Sequence, residues 1–256
     1  MMALRLTTRA LRVVVGEVEV SRALALAVAP GEVWAILGRN GVGKTTLLHT
    51  LAGLRRPLEG DVSLDGVALT RWPRRALARQ LGLLPQDDDA PFPGTVLESV
   101  LIGRHPHLPP WSGESDSDIA LARTALSEVG LSGFAAREVA TLSGGERRRM
   151  ALARLLCQQS PLMLLDEPTN HLDPAHALAV LRRLRQHAAG GGSAIAVLHD
   201  LNLAARFCDR LLLLLGEGCA VSGTPAAILT PENLEQLYGV PMATVAGPHG
   251  PIYLPA

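Results

Sequence analysis

Residues 33–52 constrain the fold of this chain more than any other stretch. Val33-Trp34-Ala35-Ile36-Leu37 is an unbroken apolar run, which suits a strand covered on both faces, as in a parallel sheet. Gly38-Arg39-Asn40-Gly41-Val42-Gly43-Lys44-Thr45 follows at once and matches the pattern G-x-x-x-x-G-K-[ST]. Leu47, Leu48, Leu51 and Ala52 then recur at helical spacing, with Gly53 as a stop. Strand, glycine turn and helix in direct succession specify a phosphate-binding loop. Its glycines let successive N–H groups turn inward as an anion nest. The helix start adds roughly half a positive charge. Lys44 supplies a mobile full charge for β- and γ-phosphates, and Thr45 offers a hydroxyl to Mg²⁺. Residues 38 to 46, ending at Thr46, are therefore expected to hold a nucleotide. The pattern arises by chance in roughly one chain of this length in a hundred, and the flanking strand and helix make coincidence rarer still.

A second strand ends in two acids. Leu162-Met163-Leu164-Leu165 runs directly into Asp166-Glu167, and open α/β sheets bind ligands at the C-terminal ends of their strands. Asp166 is expected to hold Mg²⁺, usually through water, and Glu167 to orient or deprotonate an attacking water. A helical pattern over 175–188 ends at Gly190-Gly191-Gly192. It joins this strand to another, Ala194 to Leu198, in a βαβ unit with a right-handed crossover. His199 closes that strand, where its imidazole can reach a γ-phosphate.

The first ~35 residues alternate β-prone runs, such as Val13-Val14-Val15, with turns. Between about 87 and 160, prolines punctuate helical spacings. Ile119, Ala122, Leu126 and Val129 form one, and Met150, Ala153, Leu156 and Cys157 another. The expected architecture is a single α/β domain over 1–256 with a mixed sheet and an antiparallel N-terminal β part. Its core lobe spans about 1–86 and 160–220, a helical subdomain about 87–159, and a short Pro- and Gly-punctuated tail about 221–256.

Composition excludes several classes. Lys plus Arg and Asp plus Glu both number 24, so the net charge is zero. The global basic footprint of many nucleic-acid binders is missing, and no nucleic-acid partner is expected. The three cysteines form no C-x-x-C pair and read as buried thiols in a reducing compartment. Leu211 to Leu215 falls far short of the ~18 apolar residues of a membrane span. Arg5, Arg9 and Arg12 interrupt any N-terminal apolar segment. The chain reads as soluble and cytosolic, so work at a membrane requires a partner that spans it. Asp87 to Asp89 read as a solvated hinge, His105 and His107 as a surface loop, and Arg147 to Arg149 as a solvated or subunit-facing helix surface.

Leu142-Ser143-Gly144-Gly145-Glu146 closely resembles the signature sequence of ABC (ATP-binding cassette) ATPases, usually written LSGGQ. Two glycines open a helix there, so N–H groups and a hydroxyl can face an anion. The other elements follow in the family's order. Gln86 resembles the Q-loop glutamine, Asn170-His171-Leu172-Asp173 the D-loop, and His199-Asp200 the H-switch. The resemblance covers about residues 3 to 240. It implies a P-loop NTPase core with a helical subdomain, ATP and Mg²⁺ as ligands, and catalytic roles for Glu167, His199 and Gln86. Gln86 joins Thr45 and Asp166 around the metal. It also implies a head-to-tail homodimer, in which Ser143, Gly144, Gly145 and Asp173 serve the nucleotide of the partner chain. Where many members place an adenine-stacking aromatic, this chain has Val15. Arg39 replaces a common proline, and Glu146 replaces the signature glutamine. Residues 103–108, 199–206 and 229–240 resemble importer ATPases for metal chelates, with cobalamin favoured over ferric siderophore or haem. This branch implies an integral membrane permease, indirectly a periplasmic or surface substrate-binding protein, and a peripheral place on the cytoplasmic side of the inner membrane. The competing class is a non-transport ABC ATPase acting on nucleic acid or ribosomes. Its usual coiled-coil arms, zinc modules or tandem cassettes have no counterpart in this sequence.

Overall fold

A computed structural model describes residues 5–86, 93–170, 172–248 and 250–256. The strands run in chain order as β1 (Leu6–Val15), β2 (Val18–Leu24), β3 (Ala27–Val28), β4 (Val33–Gly38), β5 (Glu59–Leu64), β6 (Val67–Ala68), β7 (Leu81–Leu84), β8 (Leu162–Asp166), β9 (Ser193–Val197), β10 (Arg210–Gly216), β11 (Cys219–Gly223), β12 (Met242–Gly247) and β13 (Gly250–Pro255). The α-helices are α1 (Lys44–Leu51), α2 (Arg74–Gln80), α3 (Val96–Leu101), α4 (Asp116–Glu128), α5 (Gly144–Gln158), α6 (Pro174–Ala189), α7 (Leu201–Phe207), α8 (Pro225–Ile228) and α9 (Pro231–Tyr238). The chain forms two compact units, Met1–Trp72 with Leu184–Ala256, and Pro73–Arg183.

In the first unit, β1 pairs antiparallel with β2, β3 and β5, and β5 with β6. This is the antiparallel part expected from the N-terminal alternation. β4 lies between β9 and β10 and is parallel to both. Its Val33 to Leu37 are buried, as are Ser193 to Val197 of β9 and Leu211 to Leu214 of β10. Complete burial of one such aliphatic side chain contributes roughly 1.5–3 kcal/mol, so these continuous runs anchor the edge that carries the phosphate loop. β11 folds back antiparallel on β10 through Glu217-Gly218, whose φ angles of 50° and 74° fit the tight turn that follows strand twist.

The segment read as a punctuated tail is more ordered than its composition implies. It holds α8, then α9 with Leu234 and Leu237 buried, then the β12–β13 hairpin. Asn202 of α7 locks that hairpin reciprocally: its Nδ2 donates to the Tyr253 carbonyl (3.2 Å), and its Oδ1 accepts from the Tyr253 amide (2.8 Å).

The second unit holds β7 and β8 as a parallel pair, Leu81 opposite Leu162 and Leu84 opposite Leu165. Helices α3, α4 and α5 pack on one another. Each begins with a capping box, Thr95 with Glu98, Ser115 with Asp118, and Ser143 with Glu146, so each helix start satisfies two backbone donors reciprocally. The buried Arg104–Asp118 ion pair (2.8 Å) ties the segment after α3 to the first turn of α4. Bonds from Ser115 and Arg104 hold the Asp118 carboxyl down at about 2. His107 approaches the Gln158 carbonyl through Nε2 at 2.9 Å, while His105 is exposed. Asp87 to Asp89 lie outside the described residues. No helix among the described residues is long and apolar enough to cross a membrane.

Candidate functional site

The phosphate loop belongs to the first unit. β4 ends at Gly38, and a Cβ there would lie 2.8 Å from Val42 Cγ1 and 3.1 Å from the Leu214 carbonyl oxygen. Gly41 and Gly43 have φ angles of 80° and 98°, a region that side chains resist. At Gly43 a Cβ would also stand 2.3 Å from Val20 Cγ2, so β2 backs the loop. Gly43 is the N-cap of α1 and supplies no side-chain cap, and the first turn carries no acid. The helix start thus presents N–H groups and positive potential without a built-in anion. Lys44 is buried, and its ammonium donates to the Gly38 (2.9 Å) and Arg39 (3.1 Å) carbonyls, which folds it over the loop. Thr45 and Thr46 are half-buried in the first turn, and Arg39 and Asn40 are exposed. This is an anion cradle built from backbone and one cation. β9 runs parallel to β4 with Val197 opposite Ile36, so His199 leaves the sheet at the same edge as Gly38. It lies two residues past β9 and is exposed, just before the α7 N-cap Asp200, which accepts from the Leu203 amide (2.9 Å).

The carboxylates lie in the second unit. β7 and β8 are parallel, with Leu84 opposite Leu165, so Gln86 and Glu167 follow the same strand ends. Asp166 is fully buried and Glu167 almost so. Glu167 holds a left-handed backbone with φ 49°, a conformation that costs a side chain-bearing residue about 1–2 kcal/mol and that clusters at functional sites. Its Oε2 accepts from Gln86 Nε2 at 3.1 Å and from Asn170 Nδ2, and the Asn170 amide donates to the Glu167 carbonyl at 3.1 Å. The carboxylate is therefore aimed by two side-chain amides.

Two members of this arrangement escape the sequence reading. Asn170 is legible only as part of a loop, not as a partner of Glu167. Arg148, expected with its neighbours on a solvated or subunit-facing surface, is buried and donates to the carbonyls of Pro85, Gln86, Asp166 and Glu167. Arg147 is exposed, as expected, while Arg149 bonds the Val129 carbonyl at 3.2 Å. A helix pattern gives the direction of a side chain but not what lies opposite it, so a buried guanidinium leaves no mark in the spacing.

The signature segment opens α5. Ser143 is its N-cap: its hydroxyl accepts from the Glu146 amide (3.3 Å), and its own amide donates to Glu146 Oε2 (2.7 Å). Glutamate at this position completes a capping box as glutamine does, so replacing the family's glutamine leaves the helix start intact. Ser143 and Gly144 are exposed and Gly145 half-buried, and a Cβ on Gly144 would meet nothing within 4 Å. Asp173 is exposed and accepts from the His176 amide (3.0 Å) and faces its ring (2.6 Å) at the start of α6, bonds that lower its pKa. His171 lies outside the described residues.

The family model for ABC transporters matches residues 21–170. The hemin import ATP-binding protein HmuV of Myxococcus xanthus (strain DK1622) is 43% identical over 90% of this chain and 89% of its own length. Its namesake from Gloeobacter violaceus is 46% identical over 82% of this chain and 78% of its own. Among solved structures, an inward-facing metal-chelate type ABC transporter superimposes with a TM-score of 0.85 at 29% identity, covering 99% of this chain and 98% of that one. These similarities cover nearly all of the sequence, and the chain belongs to the ABC transporter family as one of its ATP-hydrolysing subunits.

Proposed function

We propose that this subunit drives the import of a metal chelate, haem first, through a separate membrane permease. ATP is held on residues 38 to 46, and the observation that carries the reading is that α1 starts behind Gly43 with neither a side-chain cap nor an acid in its first turn, while α5 starts behind Ser143 with Gly144 exposed. A helix start needs only one phosphate group to serve, and the second is explained when Ser143, Gly144, Gly145 and Asp173 act on the nucleotide of a second copy. Lys44 neutralises the β- and γ-phosphates. Glu167, aimed by Gln86 and Asn170, orients and deprotonates the attacking water, and His199 contacts the γ-phosphate. Thr45, Gln86 and Asp166 are the residues that would hold Mg²⁺. Hydroxyl, amide and carboxylate oxygens suit that hard cation, which would offset the charge that develops on the transferred phosphoryl group.

The resemblance of residues 103–108, 199–206 and 229–240 favours cobalamin. Haem moves ahead of cobalamin because the two relatives at 43% and 46% identity are both hemin import proteins. Specificity belongs to the permease and its substrate-binding protein, and the subunit works from the cytoplasmic face of the inner membrane. The test is to purify the chain with its membrane partner and reconstitute both in proteoliposomes. Haem should accumulate only with ATP, and Lys44→Ala should abolish uptake. Uptake of cobalamin or a ferric siderophore in place of haem would overturn the substrate assignment. Recovery with nucleic acid and no membrane protein would overturn the transport reading.

A further inference from the structure

The group that organises the carboxylate end of β8 lies on neither β7 nor β8. Arg148 sits in the second turn of α5, five residues after the N-cap Ser143. Its guanidinium divides its work between two strand ends. Nη1 donates to the carbonyls of Pro85 (2.6 Å) and Gln86 (3.0 Å), just past β7. Nη2 donates to the carbonyls of Asp166 and Glu167 (2.9 Å), at the end of β8. A planar fork with several donors can serve four acceptors at once, and an ammonium with three donors cannot match that geometry. The Glu167 carbonyl that it grips belongs to the residue with φ 49°. The Gln86 carbonyl belongs to the residue whose side chain meets the Glu167 carboxylate at 3.1 Å. Bonds from a charged donor are stronger than neutral ones, and the residue is 9% exposed, so water competes little for these carbonyls.

We infer that Arg148 is a positioning residue for ATP hydrolysis: it fixes Gln86 and Glu167 relative to each other and fastens both to α5. Displacement of the signature helix then moves the water-orienting pair of the same chain. A link of this kind couples the γ-phosphate seen by Ser143 to the hydrolytic geometry behind it. The inference rests on the reading of Glu167 as the carboxylate that activates water.

The experiment compares the parent with Arg148→Lys, Arg148→Met and Glu167→Gln, measuring steady-state ATPase rates with Mg²⁺ and the ATP dissociation constant in EDTA. The second measurement probes the phosphate loop without the metal ligands. Arg148→Met should lower kcat on the order of 10²-fold, the cost of a misplaced reacting group, and Arg148→Lys should fall between it and the parent. Both should bind ATP in EDTA within twofold of the parent. In a Glu167→Gln background, where the carboxylate is already gone, Arg148→Lys should lower the residual single-turnover rate by less than twofold. A merely structural residue would act equally in both backgrounds. Should Arg148→Met fail to fold, Arg148→Lys decides alone. Parental kcat in Arg148→Lys would overturn the inference, as would loss of ATP affinity in parallel with rate. A parental rate in Glu167→Gln would instead overturn the reading of Glu167 on which the inference rests.

Discussion

Gly43→Ala and Gly41→Ala form a graded test of the phosphate loop. Both glycines have positive φ, 98° and 80°, and the backbone term alone costs an alanine about 1–2 kcal/mol. Their surroundings differ. A Cβ at Gly41 meets nothing within 4 Å, whereas one at Gly43 lies 2.3 Å from Val20 Cγ2 and 3.0 Å from Cγ1. Valine is stiff about χ1 and cannot swing its methyls away cheaply, and forced overpacking adds about 1–3 kcal/mol. Gly43→Ala should therefore destabilise by about 2–5 kcal/mol and Gly41→Ala by about 1–2 kcal/mol. At about 2–4 °C per kcal/mol for a chain of this size, nucleotide-free Tm falls by roughly 4–20 °C in the first variant and 2–8 °C in the second. If the loop yields in place of β2, the amides at the start of α1 turn away and the cost appears as lost binding. The assay is thermal unfolding with and without ATP, together with titration of a fluorescent ATP analogue. A Gly43→Ala protein no more damaged than Gly41→Ala in both stability and affinity would show that Val20 does not confine the loop.

The Arg104–Asp118 pair should be visible in acid. Asp118→Asn removes the charged partner of a buried guanidinium, a loss of about 3–5 kcal/mol at neutral pH. The Asp118 carboxyl, ordinarily near 3.8, is held at about 2 by Ser115 and Arg104. Its stabilisation is complete above its ordinary pKa and disappears as pH falls through the folded one. Urea midpoints of parent and variant should converge between about pH 4 and 2, and a constant gap over that window would contradict the assignment. Gln86→Ala leaves Glu167 with one amide partner of the two described. In vesicles it should reduce transport more than nucleotide affinity, and unchanged transport would count against its coupling role.

The glycine loop after β4 is legible because backbone chemistry dictates it: the positive φ at Gly41 and Gly43 favours glycine, and the buried strand before them reads as an apolar run. The ends of β8 and β9 were legible for the same reason, since five buried residues in succession leave a recognisable signal. The Ser143–Glu146 capping box also lies in the spacing of its residues. What escaped depends on contacts distant in sequence. Arg148 meets carbonyls some 62 residues before it and 18 to 19 after it, and no local pattern records that pairing. Asn170 shows its role only when the turn after β8 returns its amide to Glu167. The C-terminal hairpin was obscured because few of its residues are buried. Its order comes from cross-strand pairing and from Asn202, so composition shows only the prolines and glycines.

If Glu167 activates the water that cleaves ATP between two copies of this chain, Glu167→Gln should trap the uncleaved nucleotide there. The substitution keeps the shape and the amide contacts of the side chain but removes the carboxylate proposed to activate water. Lys44, Thr45 and Asp166 remain, so ATP and Mg²⁺ should still bind. Uncleaved nucleotide that bridges two chains shifts monomers to dimers by mass action. Size-exclusion chromatography with light scattering at saturating Mg-ATP should show a monomer for the parent and a dimer for Glu167→Gln, and adding Ser143→Arg should return it to monomer. A Glu167→Gln protein that stays monomeric would rule out the two-chain site, and one that hydrolyses ATP at the parental rate would rule out the role of Glu167.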